Sequence, residues 1–314
     1  MKKFLFAVGI LFCGAAQAQQ NPQYTMYRFN PLVFNPAAAG SRDALSMAGT
    51  FRMQWVGIDG APMTGSFSVH SPLPNDRLAV GLTYTVDRIG VTMTNTISGA
   101  FAYRLPVGKS KKIKVSFGIS AGVQNYRSAL STVQTNGGAG TDPSFKSNVN
   151  LWIPQIGAGI YVYSDKFYVG VAVPQLLPGS LMKQNGFNLD ATSAHQYYQL
   201  YATAGYVFSL GKKVKFIPST MMKYVPKYAP IDFDFNATFV FIDRIWLGAS
   251  YRLSDSYGFQ AAFLITPQLR VAYAYDLTVS PLSKFTTGSH EIMLGYDFQK
   301  IKSHIVNPRT VRYF

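Results

Sequence analysis

Apolar and polar residues alternate with period two along most of the chain from Leu45 onward. In Leu45–Trp55, Leu45, Met47, Gly49, Phe51, Met53 and Trp55 fall on one side, and Ser46, Ala48, Thr50, Arg52 and Gln54 on the other. That spacing predicts a strand with one apolar face. The same reading predicts strands at Met63–His70, Arg77–Asp87, Met93–Arg104, Ile113–Gln124, Pro154–Tyr163, Phe167–Val173 and Gln196–Leu210. It continues through Val214–Tyr224, Ile231–Phe241, Ile245–Leu253, Tyr257–Thr266, Leu269–Asp276 and His290–Phe298. These are about fourteen strands, an even number, of the length a tilted membrane strand needs.

Alternation alone fits two folds. In a soluble sandwich or propeller the apolar set packs inward. In an antiparallel outer-membrane β-barrel it faces lipid, and the polar set must face the lumen, because Arg or Lys facing lipid at the midplane costs roughly 2–4 kcal/mol. The connections discriminate. The long ones, Asn125–Ile153, Pro174–His195 and Leu277–Ser289, all follow odd-numbered strands. Tight ones, Ser164–Lys166, Gly211–Lys213, Ile242–Arg244 and Pro267–Gln268, follow even-numbered strands. A barrel separates external loops from periplasmic turns in this way. Residues 45–298 therefore read as an all-β barrel whose long connections face outside. Trp55, Tyr103, Trp152, Tyr163, Tyr206, Tyr224, Trp246 and Tyr296 suit an aromatic girdle. Phe298, ending the last strand on an aromatic, is the expected barrel-assembly signal; Phe314 is its rival.

Ahead of the barrel, residues 19–44 form a coil with two Asn-Pro pairs, Asn30-Pro31 and Asn35-Pro36, which exclude a regular helix. Its rings, Tyr24, Tyr27, Phe29 and Phe34, need a surface to cover them. The coil is expected to start in the periplasm, either plugging the lumen or binding a partner at the periplasmic rim. Met1–Ala18 reads as a signal peptide: Lys2 and Lys3, the apolar run Phe4–Phe12, then Ala16-Gln17-Ala18 before cleavage. Cys13, the single cysteine, leaves with it, so the mature chain has no thiol chemistry. Residues 299–314 form a basic tail.

Removing Lys2 and Lys3 takes the formal charge from +15 to +13. An exported chain meets no nucleic acid, so the basic excess points elsewhere. Lys109, Lys111, Lys112, Lys166, Lys212, Lys213 and Arg244 fall in the predicted periplasmic turns, with Lys300, Lys302, Arg309 and Arg312 in the tail. They suit outer-membrane lipid headgroups or an acidic periplasmic partner. Arg52, Lys114, Lys215, Lys223, Arg252 and Arg270 share the inferred lumen with Asp87, Asp232, Asp234, Asp276, Glu291 and Asp297. Gly81, Gly118, Gly122, Gly157, Gly159, Gly205, Gly248 and Gly258 lie there too, either to let strands bend or to leave room for a plug or guest chain.

Catalytic chemistry is not legible. His70, His195, His290 and His304 are scattered, and His290 and Glu291 are adjacent, so they point to opposite strand faces. No metal spacing, phosphate loop or cofactor motif is present; Gly137–Asp142 reads as loop. An outer-membrane hydrolase and a diffusion channel or small-molecule transporter remain the alternatives to a protein-binding role.

One pattern is more specific. Asn30, Pro31, Leu32, Asn35, Pro36, Ala37, Ala39 and Gly40, followed by Arg52, Gln54, Trp55, Gly60, Pro62 and Thr64, resemble the PorP/SprF family. The ending Pro308–Phe314 resembles it too, with Thr310-Val311-Arg312 inserted before Tyr313-Phe314. The resemblance implies a non-enzymatic outer-membrane component of the type IX secretion and gliding machinery of Bacteroidetes. It also implies periplasmic secretion components and secreted, adhesin-like surface proteins as partners. On the sequence alone, Tyr24, Tyr27, Phe29, Phe34, Lys109, Lys111 and Lys112 are the candidate partner-binding residues. Arg52, Gln54 and Trp55, at the far end of the first strand, are expected to brace the lumen or first loop rather than the coil.

Overall fold

The computed structural model describes residues 22–108, 112–135, 138–139, 145, 147–177, 179–180, 195–196, 198–226 and 230–298. Residues 1–21, which include the expected signal peptide, and Lys109, Lys111, Gly137 and residues 299–314 with Phe314 lie outside the described residues.

The alternating segments form one closed antiparallel barrel of 14 strands. In chain order they are β1 (Leu45–Met53), β2 (Met63–Pro72), β3 (Leu78–Ile89), β4 (Thr92–Val107) and β5 (Ile113–Ser128). Then come β6 (Val149–Tyr163), β7 (Phe167–Val173), β8 (Leu200–Tyr206, resuming at Phe208–Ser209), β9 (Val214–Tyr224) and β10 (Asp232–Phe241). The last are β11 (Ile245–Arg252), β12 (Ser256–Leu264), β13 (Leu269–Thr278) and β14 (Ser289–Phe298). β1 closes on β14 in register from Leu45↔Phe298 to Met53↔His290, so no strand edge is left unpaired there. β4, β5 and β6 run longer than the alternation predicts, to 16, 16 and 15 residues, and raise one side of the wall.

The apolar set faces out. Ile119, Phe259, Ile292 and Leu294 are exposed, while their polar neighbours Ser116, Gln260, Glu291 and Arg270 are buried inside. The segments 129–148, 174–199 and 279–288 leave from one rim, the loop rim. The tight connections 164–166, 210–213, 242–244 and 265–268 lie at the other, the turn rim. Two members of the expected girdle are corrected. Trp246 and Tyr163 are buried in the lumen, because Trp246 alternates with outward Leu247 and Tyr163 shares the face of Tyr161. Trp152, Tyr103 and Tyr206 do face outward.

Candidate functional site

The Asn-Pro pairs shape the segment before β1. Asn30 and Asn35 leave the helical region, at φ −136° and −134°, and Pro31 and Pro36 each open a 3-10 turn. Asn35 Oδ1 accepts from the Ala37 N–H at 2.9 Å, and its Nδ2 donates to the Ile160 carbonyl at 3.0 Å. One side chain thus caps a turn and ties it to β6.

This segment does not hang below the turn rim. The structure places residues 22–40 inside the barrel, with Pro22 near the loop rim and Gly40 near the turn rim. Tyr24, Tyr27, Phe29 and Phe34 are between 3% and 6% exposed, so they cover the lumen wall and offer no surface to a partner at the rim. Phe29 meets Trp246 edge-on at 6.4 Å. Phe34 packs between Tyr24 and Tyr201, at 5.4 and 5.3 Å. Leu32 packs on Ala79, Ala100 and Ala102 of β3 and β4, and Ala37 and Ala38 on Tyr161, Tyr163 and Tyr168 of β6 and β7. The segment therefore touches the wall on opposite sides. Full burial of each large apolar side chain contributes roughly 1.5–3 kcal/mol.

The glycines decide between their two readings position by position. A Cβ on Gly118 would collide with the backbone of Pro36 and Ala37, and one on Gly159 with the Asn35 side chain. There the missing side chain is room for the segment. Gly205 instead makes room for the Tyr168 ring.

Near the loop rim the segment is clipped by carboxylates. The Thr25 and Met26 N–H groups donate to Glu291 Oε2 and Oε1 at 2.7 and 3.1 Å. The Thr25 hydroxyl donates to Asp276 at 2.6 Å and accepts from Arg52 Nη1 at 3.0 Å. Arg52 also pairs with Asp276 at 2.6 Å and Glu291 at 3.1 Å. So Arg52 does brace the coil, contrary to expectation: the chain that enters β1 at the turn rim has already passed the full height of the lumen. Gln54 and Trp55 stay with the first loop, where the Gln54 N–H donates to Pro62 and the Trp55 N–H to Ser289 Oγ. Arg252 extends the network to Asp234 at 3.1 Å.

Near the turn rim arginine holds carbonyls. Arg104, fully buried, donates from Nη1 to the Gly40 carbonyl and Asp43 Oδ1, both at 2.6 Å, and from Nη2 to the Asp76 carbonyl at 2.8 Å. Gly40 sits at φ +69° and donates its N–H to His70 Nδ1 at 3.0 Å. Arg42 and Arg270 share Asp297, at 3.1 and 3.5 Å. Asn30 accepts from Ser68 at 2.7 Å; at the loop rim, Thr64 donates to Asp87 at 2.6 Å and the Gly60 carbonyl accepts from the Gly90 N–H at 2.8 Å. The family-like residues are thus largely contacts between segment and wall or between neighbouring turns.

Sequence reasoning missed Arg28, Arg42, Asp43 and Arg104. Arg104 was findable, because it shares a face with Ala100 and Ala102; the other three sit in coil, where no period assigns a direction. Of the candidate lysines, Lys112 is exposed at the turn rim, beside exposed Lys166, Lys212, Lys213 and Arg244. On the loop side of the segment lies a hollow of about 130 Å³, lined by Tyr24, Phe34, Tyr201, Asp87, Gln124 and Gln175 among others. Among the described residues no group of three His, Cys, Asp or Glu is placed to hold a metal ion.

The family described as type IX secretion system membrane protein PorP/SprF matches residues 16–296. No curated protein sequence matches the chain. Among solved structures it is similar to the CymD monoaromatic hydrocarbon channel, at 11% identity and a TM-score of 0.51, over 90% of this chain and 95% of that one. It is also similar to Omp33 of Acinetobacter baumannii, at 12% identity and a TM-score of 0.47, over 81% of this chain and 98% of that one. The likeness to CymD bears on the barrel fold alone.

Proposed function

Since the chain belongs to the PorP/SprF family of type IX secretion system membrane proteins, we propose that it is a plugged, non-enzymatic outer-membrane barrel that supports export or surface attachment of secreted proteins through protein–protein contacts. The observation that carries this reading is the occupied lumen. A diffusion channel or small-molecule transporter needs an open path, and here Tyr24, Tyr27, Phe29, Leu32 and Phe34 are packed where that path would run. An outer-membrane hydrolase finds less support still, since Asp276, Glu291, Arg52 and Arg104 are engaged in holding the segment rather than facing a reactive atom.

In this reading the turn rim faces the periplasm. Lys112, Lys166, Lys212, Lys213 and Arg244 give an acidic secretion component a docking surface, and the loop rim faces the exported surface protein. Exposed charges act mainly on encounter and are screened by salt. Reversing Lys112, Lys212 and Lys213 to glutamate should leave heat-modifiable gel migration unchanged. It should lower recovery of copurified periplasmic components and surface levels of the secreted protein, with the binding defect changing with ionic strength. Unaltered partners and display in a folded variant would remove the docking idea. Steady single-channel conductance of the purified wild type would put the channel reading ahead.

A further inference from the structure

The outward face of the barrel carries almost no charge. Among the described residues no strand presents Asp or Glu to the outside, and Arg88 and Arg127 are the only Arg or Lys that do face out. Both are exposed, and neither has an ion-pair partner among the described residues. They also belong to one place. Arg88 of β3 lies opposite Met93 of β4, Met93 opposite Arg127 of β5, and Arg127 opposite Asn150 of β6. Neighbouring strands are about 4.8 Å apart, so the two arginine Cα atoms are separated by roughly 10 Å.

The next outward row toward the turn rim is Val86, Asn95, Asn125 and Trp152, and the one after it Tyr84, Ile97, Val123 and Pro154. The face thus changes from polar to apolar within two rows. The Tyr84 hydroxyl donates to Asn95 Oδ1 at 3.1 Å, and Asn125 Nδ2 donates to Asn150 Oδ1 at 2.7 Å, while Tyr84, Ile97 and Val123 expose apolar surface.

The height of that change matches a bilayer surface. A strand tilted by about 40° gains roughly 2.5 Å of height per residue, so an apolar band of about 25 Å takes about ten residues. Counted along β4 from Val107 beside the turn rim, the band ends at Ile97, and the next outward residue is Asn95. Trp152, 59% exposed in the row of Asn95, sits where aromatic side chains favour the headgroup region. Arg88 and Arg127 stand one row beyond, on the extra length of the wall at β4, β5 and β6. They are held at headgroup level, directly above an exposed apolar surface.

We propose that this face of β3–β6 binds a phosphate-bearing glycolipid of the outer leaflet. Arg88 and Arg127 take its phosphate groups, for which a guanidinium offers paired N–H donors. The side chains of Asn95 and Asn150 and the Tyr84 hydroxyl meet its sugar hydroxyls, and its acyl chains lie on Tyr84, Ile97 and Val123. The choice of leaflet rests on the reading that the loop rim faces outside; the arginine pair at headgroup level does not.

The test uses the full mature chain in detergent, with diphosphoryl lipid A as the probe and native mass spectrometry as the readout. The wild type should retain one lipid A. Arg88→Gln and Arg127→Gln together should weaken that retention about tenfold or more. The same lipid stripped of its phosphates should be held weakly by both proteins, and Lys212→Gln with Lys213→Gln, at the turn rim, should bind as the wild type does. Undiminished binding by the arginine variant overturns the site and leaves the orientation of the barrel untouched. Phosphatidylglycerol held more tightly than lipid A, with the same dependence on the arginines, overturns the glycolipid assignment and with it the outward orientation of the loop rim. Equal retention of the two lipids means attraction to any anionic headgroup and also overturns the proposal. Heat-modifiable migration checks the folding of the arginine variant; if it fails to fold, the competition between the lipids on the wild type still decides.

Discussion

The two ends of the plug segment are held in chemically opposite ways. Near the loop rim, backbone N–H groups of Thr25 and Met26 point at Glu291, inside a network that also joins Asp276, Arg52, Arg252 and Asp234 from β1, β10, β11, β13 and β14. Near the turn rim, the Gly40 carbonyl and Asp43 meet the single guanidinium of Arg104 from β4. The first end accepts the chain's donors with carboxylates that share two guanidinium groups, Asp276 meeting both Arg52 and Arg252. The second satisfies the Gly40 carbonyl with one cation, and Asp43 with that cation and Lys114. A network with alternatives tolerates the loss of one member better than a lone anchor does, because the remaining charges stay paired. The comparison teaches that the end covalently continuous with β1 depends mainly on one guanidinium. The plug's free end is held by a redistributable set.

Three substitutions test this asymmetry. Arg104→Met should have the largest effect. Removing the fully buried partner leaves Asp43 with Lys114 only and strips the Gly40 and Asp76 carbonyls, so a destabilisation of about 3–5 kcal/mol is expected in chemical unfolding of the purified barrel. Glu291→Gln should cost less, about 1.5–3 kcal/mol, since an amide N–H₂ replaces one acceptor while Arg52 keeps Asp276. Its specific signature is faster exchange of the Thr25 and Met26 amides, with intermittent conductance as the free end opens. If Glu291→Gln destabilises as much as Arg104→Met, the network has no redundancy and the comparison fails. Asn35→Ala should be smallest, near 1 kcal/mol, the usual worth of a capping side chain. It sharpens the picture by leaving both ends seated; steady conductance in this variant would mean that the middle of the segment, not its ends, keeps the plug in place.

Much of the barrel was legible before any coordinates. Lipid rejects charge, so each strand had to show an apolar and a polar face, and the segregation of long from tight connections separated a barrel from a sandwich. The errors have physical causes. Gly40 lies near the turn rim as expected, but the direction taken upstream of it depends on where acceptors lie for Thr25 and Met26. Those acceptors are contributed by strands more than 200 residues later. Trp246 reads as a girdle residue by type, whereas its register with Leu247 turns it inward onto Phe29.

By itself, then, the sequence determined which face of most strands meets lipid, how many strands close the wall, and that residues 30–36 are too proline-bound for a helix. Those follow from local chemistry: period two, the cost of charge in hydrocarbon, and the fixed φ of proline. Only the tertiary structure decided that the aromatic coil is a plug, that Gly118 and Gly159 are its berth, and that Arg52 meets Asp276 and Glu291. The barrel must close before β1, β13 and β14 become neighbours. Until it closes, nothing along the chain says which carboxylate a given arginine will reach, or whether four aromatic rings will find their surface inside the wall or outside it.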